Sequence, residues 1–295
     1  MRILVLGSKG MLGQDLIPVL SNDHTCFGAD VTDADKTDIT DIDSVTRTVS
    51  VCRPDAVINC AAYTNVDLAE TERDKAMSIN GLGAQNVAIV CRQKGIALCH
   101  ISTDYVFDGD AQIPYTPFDN TNPVNYYGLS KLAGEKYVRW VCPDASIVRT
   151  SWLYGRHGNN FVKTILKLAS EREELRVVDD QTGNPTSAVT LARGIKSIVE
   201  SGRCGIYHFT DETCGDISWY RFTEEILRLS NIKIRLLPVT TLEFPRPAKR
   251  PKYSVLDLTA TRLAFPFKPV RWERALADYL AAENPIAGGG GDSSC

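Results

Sequence analysis

The chain has 295 residues, 43% hydrophobic and 23% charged, with a formal net charge of -3. These are the proportions of a soluble globular protein, long enough for one large core and a smaller lobe. No basic run marks a nucleic-acid partner, no apolar stretch approaches the ~18 residues of a membrane span, and a first strand beginning at the N-terminus leaves no room for a signal peptide. A cytoplasmic protein is expected.

The nine cysteines form no CxxC pair and read as reduced core residues. His24, His100, His157 and His208 lie far apart without a metal-ligand spacing, so no metal is expected.

Residues 2–14 run an apolar strand into Gly7, Gly10 and Gly13, three apart, and then into a helix marked by Leu12, Leu16, Val19 and Leu20. Glycines at this spacing let the backbone turn sharply, approach a pyrophosphate and pack helix on strand, while free N–H groups at the helix start face the anion. Lys9, Met11 and Leu12 complete the expected cofactor loop. Pro18 should kink the helix, since it removes one of its hydrogen bonds.

Further apolar strands are predicted at 24–30, 55–62, 96–103, 145–150 and 205–210, with helical patterns between most of them. Continuous rather than alternating apolar strands argue for a parallel sheet covered on both faces, an α/β doubly wound (Rossmann) fold. From about residue 151 the rhythm loosens, prolines accumulate, and helices are predicted near 160–170, 218–230 and 272–282. The expected organisation is a dinucleotide-binding domain over 1–150 with returns near 187–210, a smaller substrate-binding lobe over 151–285 and a flexible tail over 286–295.

Asp30, at the end of the second strand, suits the adenine-ribose hydroxyls and would repel an added phosphate, favouring NADH; Lys9 would attract that phosphate and favour NADPH. Both cofactors are expected. The fourth strand ends at Ser102 and Thr103, and Tyr127 is the one tyrosine of 11 with a lysine, Lys131, at the fourth following position. One helical turn puts both on a shared face. A tyrosine–lysine pair alone is equally a surface feature. Joined to the glycine turn and Thr103, it reads as a proton donor tuned by an ammonium that favours the phenolate, with a threonine hydroxyl holding the same substrate oxygen.

The ordered motifs GSKGMLG, INCAAYTNVDLAE, SINGLGAQNVA, STDYVFDG, YYGLSKLAGE, RTSWLYG, GNNFVKTIL, DQTGNPTSA and RPKYSVLD together resemble the extended short-chain dehydrogenase/reductase family over about residues 1–283. The resemblance implies a Thr103, Tyr127 and Lys131 catalytic set, NADPH or NADH as cofactor, and reduction of the 4-keto group of dTDP-4-dehydro-β-L-rhamnose to dTDP-L-rhamnose. It implies that Asp38 and Ile39 cradle the adenine, that Ala61, Ala62 and Thr64 line the cofactor, and that Asn80 orders the active-site helix, unless it merely caps a bend. Asp104, Tyr105 and Trp152 become substrate contacts, the two aromatics alternatively core residues. Asn160 and Arg250 become holders of the substrate diphosphate, although Arg250 also reads as part of a solvated basic loop with Arg246, Lys249 and Lys252. A homodimer is implied as the common assembly of such relatives, and Glu283 is not carried over as a metal ligand. Two alternatives stay open: an epimerase or dehydratase of the same superfamily, against which Tyr105 after Asp104 counts, and a non-catalytic NADP-binding module resembling the regulatory β subunit of methionine adenosyltransferase.

Overall fold

Ile3, Leu4, Val5 and Leu6 are all buried, which requires cover on both sides of their strand. Successive strand side chains point to opposite faces. Leu4 and Leu6 accordingly pack with Val45, Val87 and Val138, while Ile3 and Val5 pack with Leu16, Leu20 and Ile195. β1 (Arg2–Leu6) is thus the middle of a three-layer sandwich. The computed structural model describes residues 1–283, so the tail expected at 286–295 lies outside the described residues.

The elements follow in alternation: α1 (Met11–Ser21), β2 (Thr25–Ala29), α2 (Ile42–Cys52), β3 (Ala56–Asn59), α3 (Arg73–Met77), α4 (Ala84–Lys94), β4 (Ala97–Thr103), α5 (Tyr126–Val141) and β5 (Ser146–Thr150). After them come β6 (Leu153–Tyr154), α6 (Phe161–Glu171), β7 (Glu174–Val178), β8 (Thr182–Gly183), β9 (Thr186–Ser187), α7 (Ala188–Ser201), β10 (Gly205–His208), β11 (Ile217–Ser218), α8 (Trp219–Leu229), β12 (Arg235–Val239), α9 (Thr259–Ala264) and α10 (Trp272–Glu283). The main sheet has the order β10-β5-β4-β3-β1-β2, parallel throughout. β2 lies on one side of β1 and β3 on the other, so the topology reverses between them, and such a reversal opens a crevice at the carboxyl ends of the strands. The second lobe has its own core, in which Val162 and Ile165 of α6 meet Phe222 and Ile226 of α8 and Leu276 and Tyr279 of α10.

α1 continues through Pro18, whose missing N–H forfeits its own bond to the carbonyl of Gln14. One expectation needs correction. Cys204 and Cys214 are exposed rather than core residues, because they sit in the loops flanking β10. No helix among the described residues is long and apolar enough to cross a membrane.

Candidate active site

The glycine turn fits an anion closely. Gly7 adopts a φ of +74°, and a Cβ there would lie 2.6 Å from the backbone nitrogen of Ala61; one on Gly13 would lie 2.5 Å from the carbonyl oxygen of Gly7. Asn59 fixes the opposite wall, its Oδ1 accepting from the Ala61 N–H at 3.2 Å. Gly10 is the N-cap of α1 and supplies no side chain to it. The first-turn N–H groups, which lack intrahelical partners, therefore stay available to a pyrophosphate.

From this turn a cleft of about 960 Å³ runs across the ends of the strands, within the range of small-molecule sites. It is lined by Gly7, Lys9, Gly10, Met11, Leu12, Gly13, Asp30, Asp38, Ile39, Ala61, Ala62 and Thr64, every cofactor contact expected from the sequence. Asp30 is held by the N–H of Lys9 at 3.1 Å and by the N–H and hydroxyl of Thr32 at 3.0 and 2.8 Å.

Thr103, Tyr127 and Lys131 line the same cleft. Thr103 is there because β4 ends on it. Asn125 caps α5 by accepting from the Gly128 N–H at 2.8 Å, and this sets the first turn that carries Tyr127. Lys131 follows one turn later, 3% exposed, donating to the carbonyl of Ile101 at 2.6 Å.

A turn of π-helix, Ser78–Gly83, braces α5, a feature frequent at functional sites. Its Asn80 is buried, accepts from the Tyr63 N–H at 2.8 Å and donates to Ser130 Oγ at 2.9 Å. Asn80 therefore ties the helix to the loop after β3 rather than merely capping a bend. Deeper still, Arg149 donates to both oxygens of Glu135 at 2.9 and 2.7 Å, and Ser102 donates to the same carboxylate at 2.5 Å.

Burial governs the electrostatics. It pushes the Tyr127 hydroxyl up to about 12, opposed by the Thr103 hydroxyl beside it and reinforced by the Asp104 carboxylate. It brings Lys131 down to about 8, against the attraction of Glu135. The net effect runs opposite to the expected lowering, because burial is the largest influence on the phenol: Tyr127 is kept protonated, and Lys131 turns its ammonium to the Ile101 carbonyl. Burial also raises Asp104 to about 6, despite the hydrogen bond it accepts from Thr103 at 2.9 Å.

Asp104, Tyr105 and Trp152 line the cleft; Asn160 and Arg250 do not. Asn160 is the N-cap of α6, accepting from the Lys163 N–H at 3.0 Å and donating to the Gly155 carbonyl at 2.8 Å, so its amide is already engaged. Arg250 is no solvated loop residue. It is paired with Asp67 and donates to the Ala248 carbonyl at 2.6 Å, while its guanidinium also meets the Tyr105 hydroxyl. Tyr105 packs edge-on against Tyr127 with centroids 5.6 Å apart. Trp152 has a φ of +45° and stacks on Trp219 at 3.4 Å.

Cys60, Ile79, Ile101 and Thr150 also line the cleft and escaped the sequence reading. For Cys60 and Thr150 the signal was positional, since both sit at or just past the carboxyl end of a sheet strand. Among the described residues no group of three His, Cys, Asp or Glu side chains could hold a metal ion.

The family described as RmlD substrate binding domain matches residues 1–284. The chain is 40% identical over 293 residues to the dTDP-4-dehydrorhamnose reductase of Aggregatibacter actinomycetemcomitans, covering 95% of this chain and 98% of that one. It is similar to the crystal structure of a dTDP-4-dehydrorhamnose reductase from Clostridium acetobutylicum ATCC 824, with a TM-score of 0.91, 43% identity and coverage of 96% and 99%. A dTDP-4-dehydrorhamnose reductase from Bacillus anthracis str. Ames, in complex with NADP, aligns with a TM-score of 0.90 at 42% identity, covering 95% of this chain and 99% of that one.

Proposed function

The chain belongs to the RmlD substrate binding domain family, and from that membership together with the cleft we infer that it is an NAD(P)H-dependent reductase that converts dTDP-4-dehydro-β-L-rhamnose to dTDP-L-rhamnose. The observation that carries the reading is one cleft lined both by the glycine turn and by Thr103, Tyr127 and Lys131. Gly7 and Gly13 leave the space that a pyrophosphate needs, so the residues fit a dinucleotide.

When bound, the dihydronicotinamide supplies a hydride to the carbonyl carbon. Tyr127, a phenol at neutral pH, gives its proton to the carbonyl oxygen as negative charge develops there. Thr103, beside that hydroxyl, turns its one O–H from the Asp104 carboxylate to the same oxygen. Lys131, cationic below about 8, stabilises the phenolate that proton donation leaves. Asp104, Tyr105 and Trp152 position the sugar, and Arg250 acts through Tyr105 and Asp67 rather than as a free diphosphate ligand. A reductase that draws on soluble NAD(P)H and a nucleotide sugar suits the cytoplasm, which is the location we propose.

The test mixes the purified protein with NADH or NADPH and the 4-keto-6-deoxy nucleotide sugar, following loss of nicotinamide absorbance and identifying the product. Oxidation with formation of dTDP-L-rhamnose is expected. No oxidation with either cofactor, together with stable capture of a methionine adenosyltransferase catalytic subunit, would instead support a regulatory module.

A further inference from the structure

We propose that Asp33 sets the balance between NADPH and NADH by occupying the ammonium of Lys9, an inference that rests on the dinucleotide site proposed above. Lys9 Nζ stands 2.7 Å from Asp33 Oδ1 and 3.4 Å from the carbonyl of Thr32. Asp33 is fixed from its other side, where Oδ2 accepts from the Asp30 N–H at 2.7 Å. The pair thus closes over the end of β2, where Asp30, Val31 and Thr32 line the cleft with Lys9. In a doubly wound fold this is where the adenine ribose sits, and a basic side chain here accommodates a 2′-phosphate.

The two cofactors differ there by one phosphate group, which brings the charge. A ribose hydroxyl is neutral, and its natural acceptor is Asp30, whose carboxylate is already oriented by Lys9 N–H and Thr32. A 2′-phosphate carries up to two negative charges and needs the ammonium. The phosphate must then draw Lys9 away from Asp33 and also face the carboxylate left behind. Binding of NADP(H) is opposed on both counts, while NAD(H) meets neither. Hydrogen bonding from Lys9 holds the Asp33 carboxyl below its usual range, so this charge is present at neutral pH. Asp33 is a specificity-determining residue that acts through Lys9.

The variant Asp33→Asn keeps an oxygen for the Asp30 N–H and removes only the charge. Calorimetric titration of the cofactor-free protein with NADP⁺ and with NAD⁺ reads its effect. The ratio of NADP⁺ to NAD⁺ affinity is expected to rise about fivefold, the equivalent of ~1 kcal/mol for a solvent-exposed ion pair, and to rise less at high salt. Lys9→Met is expected to lower the ratio. Adding Asp33→Asn in that background relieves only the repulsion between carboxylate and phosphate and frees no ammonium, so the rise should be smaller, the signature of two coupled residues. An unchanged ratio in Asp33→Asn, or the full rise in the absence of Lys9, overturns the proposal while the dinucleotide site stands. Wild-type protein that binds neither NADP⁺ nor NAD⁺ overturns the site itself and this inference with it.

Discussion

A phenol held near a pKa of 12 is a weak acid, yet a suitable donor to a nascent alkoxide, which is more basic still. Tyr127→Phe removes the only proton that this hydroxyl can give and leaves the glycine cradle intact. Turnover should fall by about 10² to 10⁴, the usual worth of general acid catalysis, while dinucleotide affinity measured by titration stays near wild type. Lys131 makes a separate prediction. With its proton lost near pH 8, the reduction rate should decline as pH rises through that value, whereas Tyr127 remains a phenol over the same range. A pH profile of kcat/KM that stays flat from pH 7 to 9 would remove Lys131 from this role. Thr103, Tyr127 and Lys131 were legible in the sequence because one helical turn and one strand end bring them together. The engagement of Arg250 was not, since its partner Asp67 lies 183 residues away and no spacing announces such a pair.

At the scale of elements, the start of α1 is the most exacting piece of backbone. A methyl group at Gly13 would meet the Gly7 carbonyl at 2.5 Å and the Ser8 Cα at 2.7 Å, both rigid main-chain atoms. Gly13→Ala must therefore move the turn. Overpacking of this kind costs about 1–3 kcal/mol, and calorimetry should show dinucleotide affinity falling at least ~10-fold with it. The five strands expected after β1 all appear, trimmed by a residue or more at most ends, because a sheet covered on both faces writes itself as uninterrupted apolar runs. β6, β8, β9 and β11 are two residues each. They exist only through partners distant in sequence, as when Leu153 pairs with Thr186, so no local pattern could reveal them. The π turn at Ser78–Gly83 was equally hidden, since its six residues read as ordinary helix.

For the whole molecule, sheet and second lobe are interleaved along the chain. α7 and β10 return to the sheet, and Asp211 follows directly after that return. There it accepts from the Ser187 N–H at 2.8 Å, with its other oxygen unpartnered. Burial pushes this carboxyl up to about 7. A folded pKa above the unfolded 3.8 means that the favourable contribution is complete below 3.8 and lost as pH rises through about 7. Asp211→Asn keeps an acceptor for Ser187 without the charge. The variant should be more stable than wild type at pH 8.5 by about 2–4 kcal/mol, and the gap should narrow towards pH 5, as read from denaturant midpoints.

The face-to-face contact of Trp152 with Trp219 has an optical consequence. Indole rings 3.4 Å apart share excitation, so this pair responds to light as one chromophore rather than two. Because Trp152 also borders the cleft, a sugar nucleotide entering it alters the surroundings of that coupled dye. Intrinsic tryptophan emission is therefore expected to change as the sugar nucleotide is titrated in, and an unchanged spectrum at saturation would separate Trp152 from the ligand.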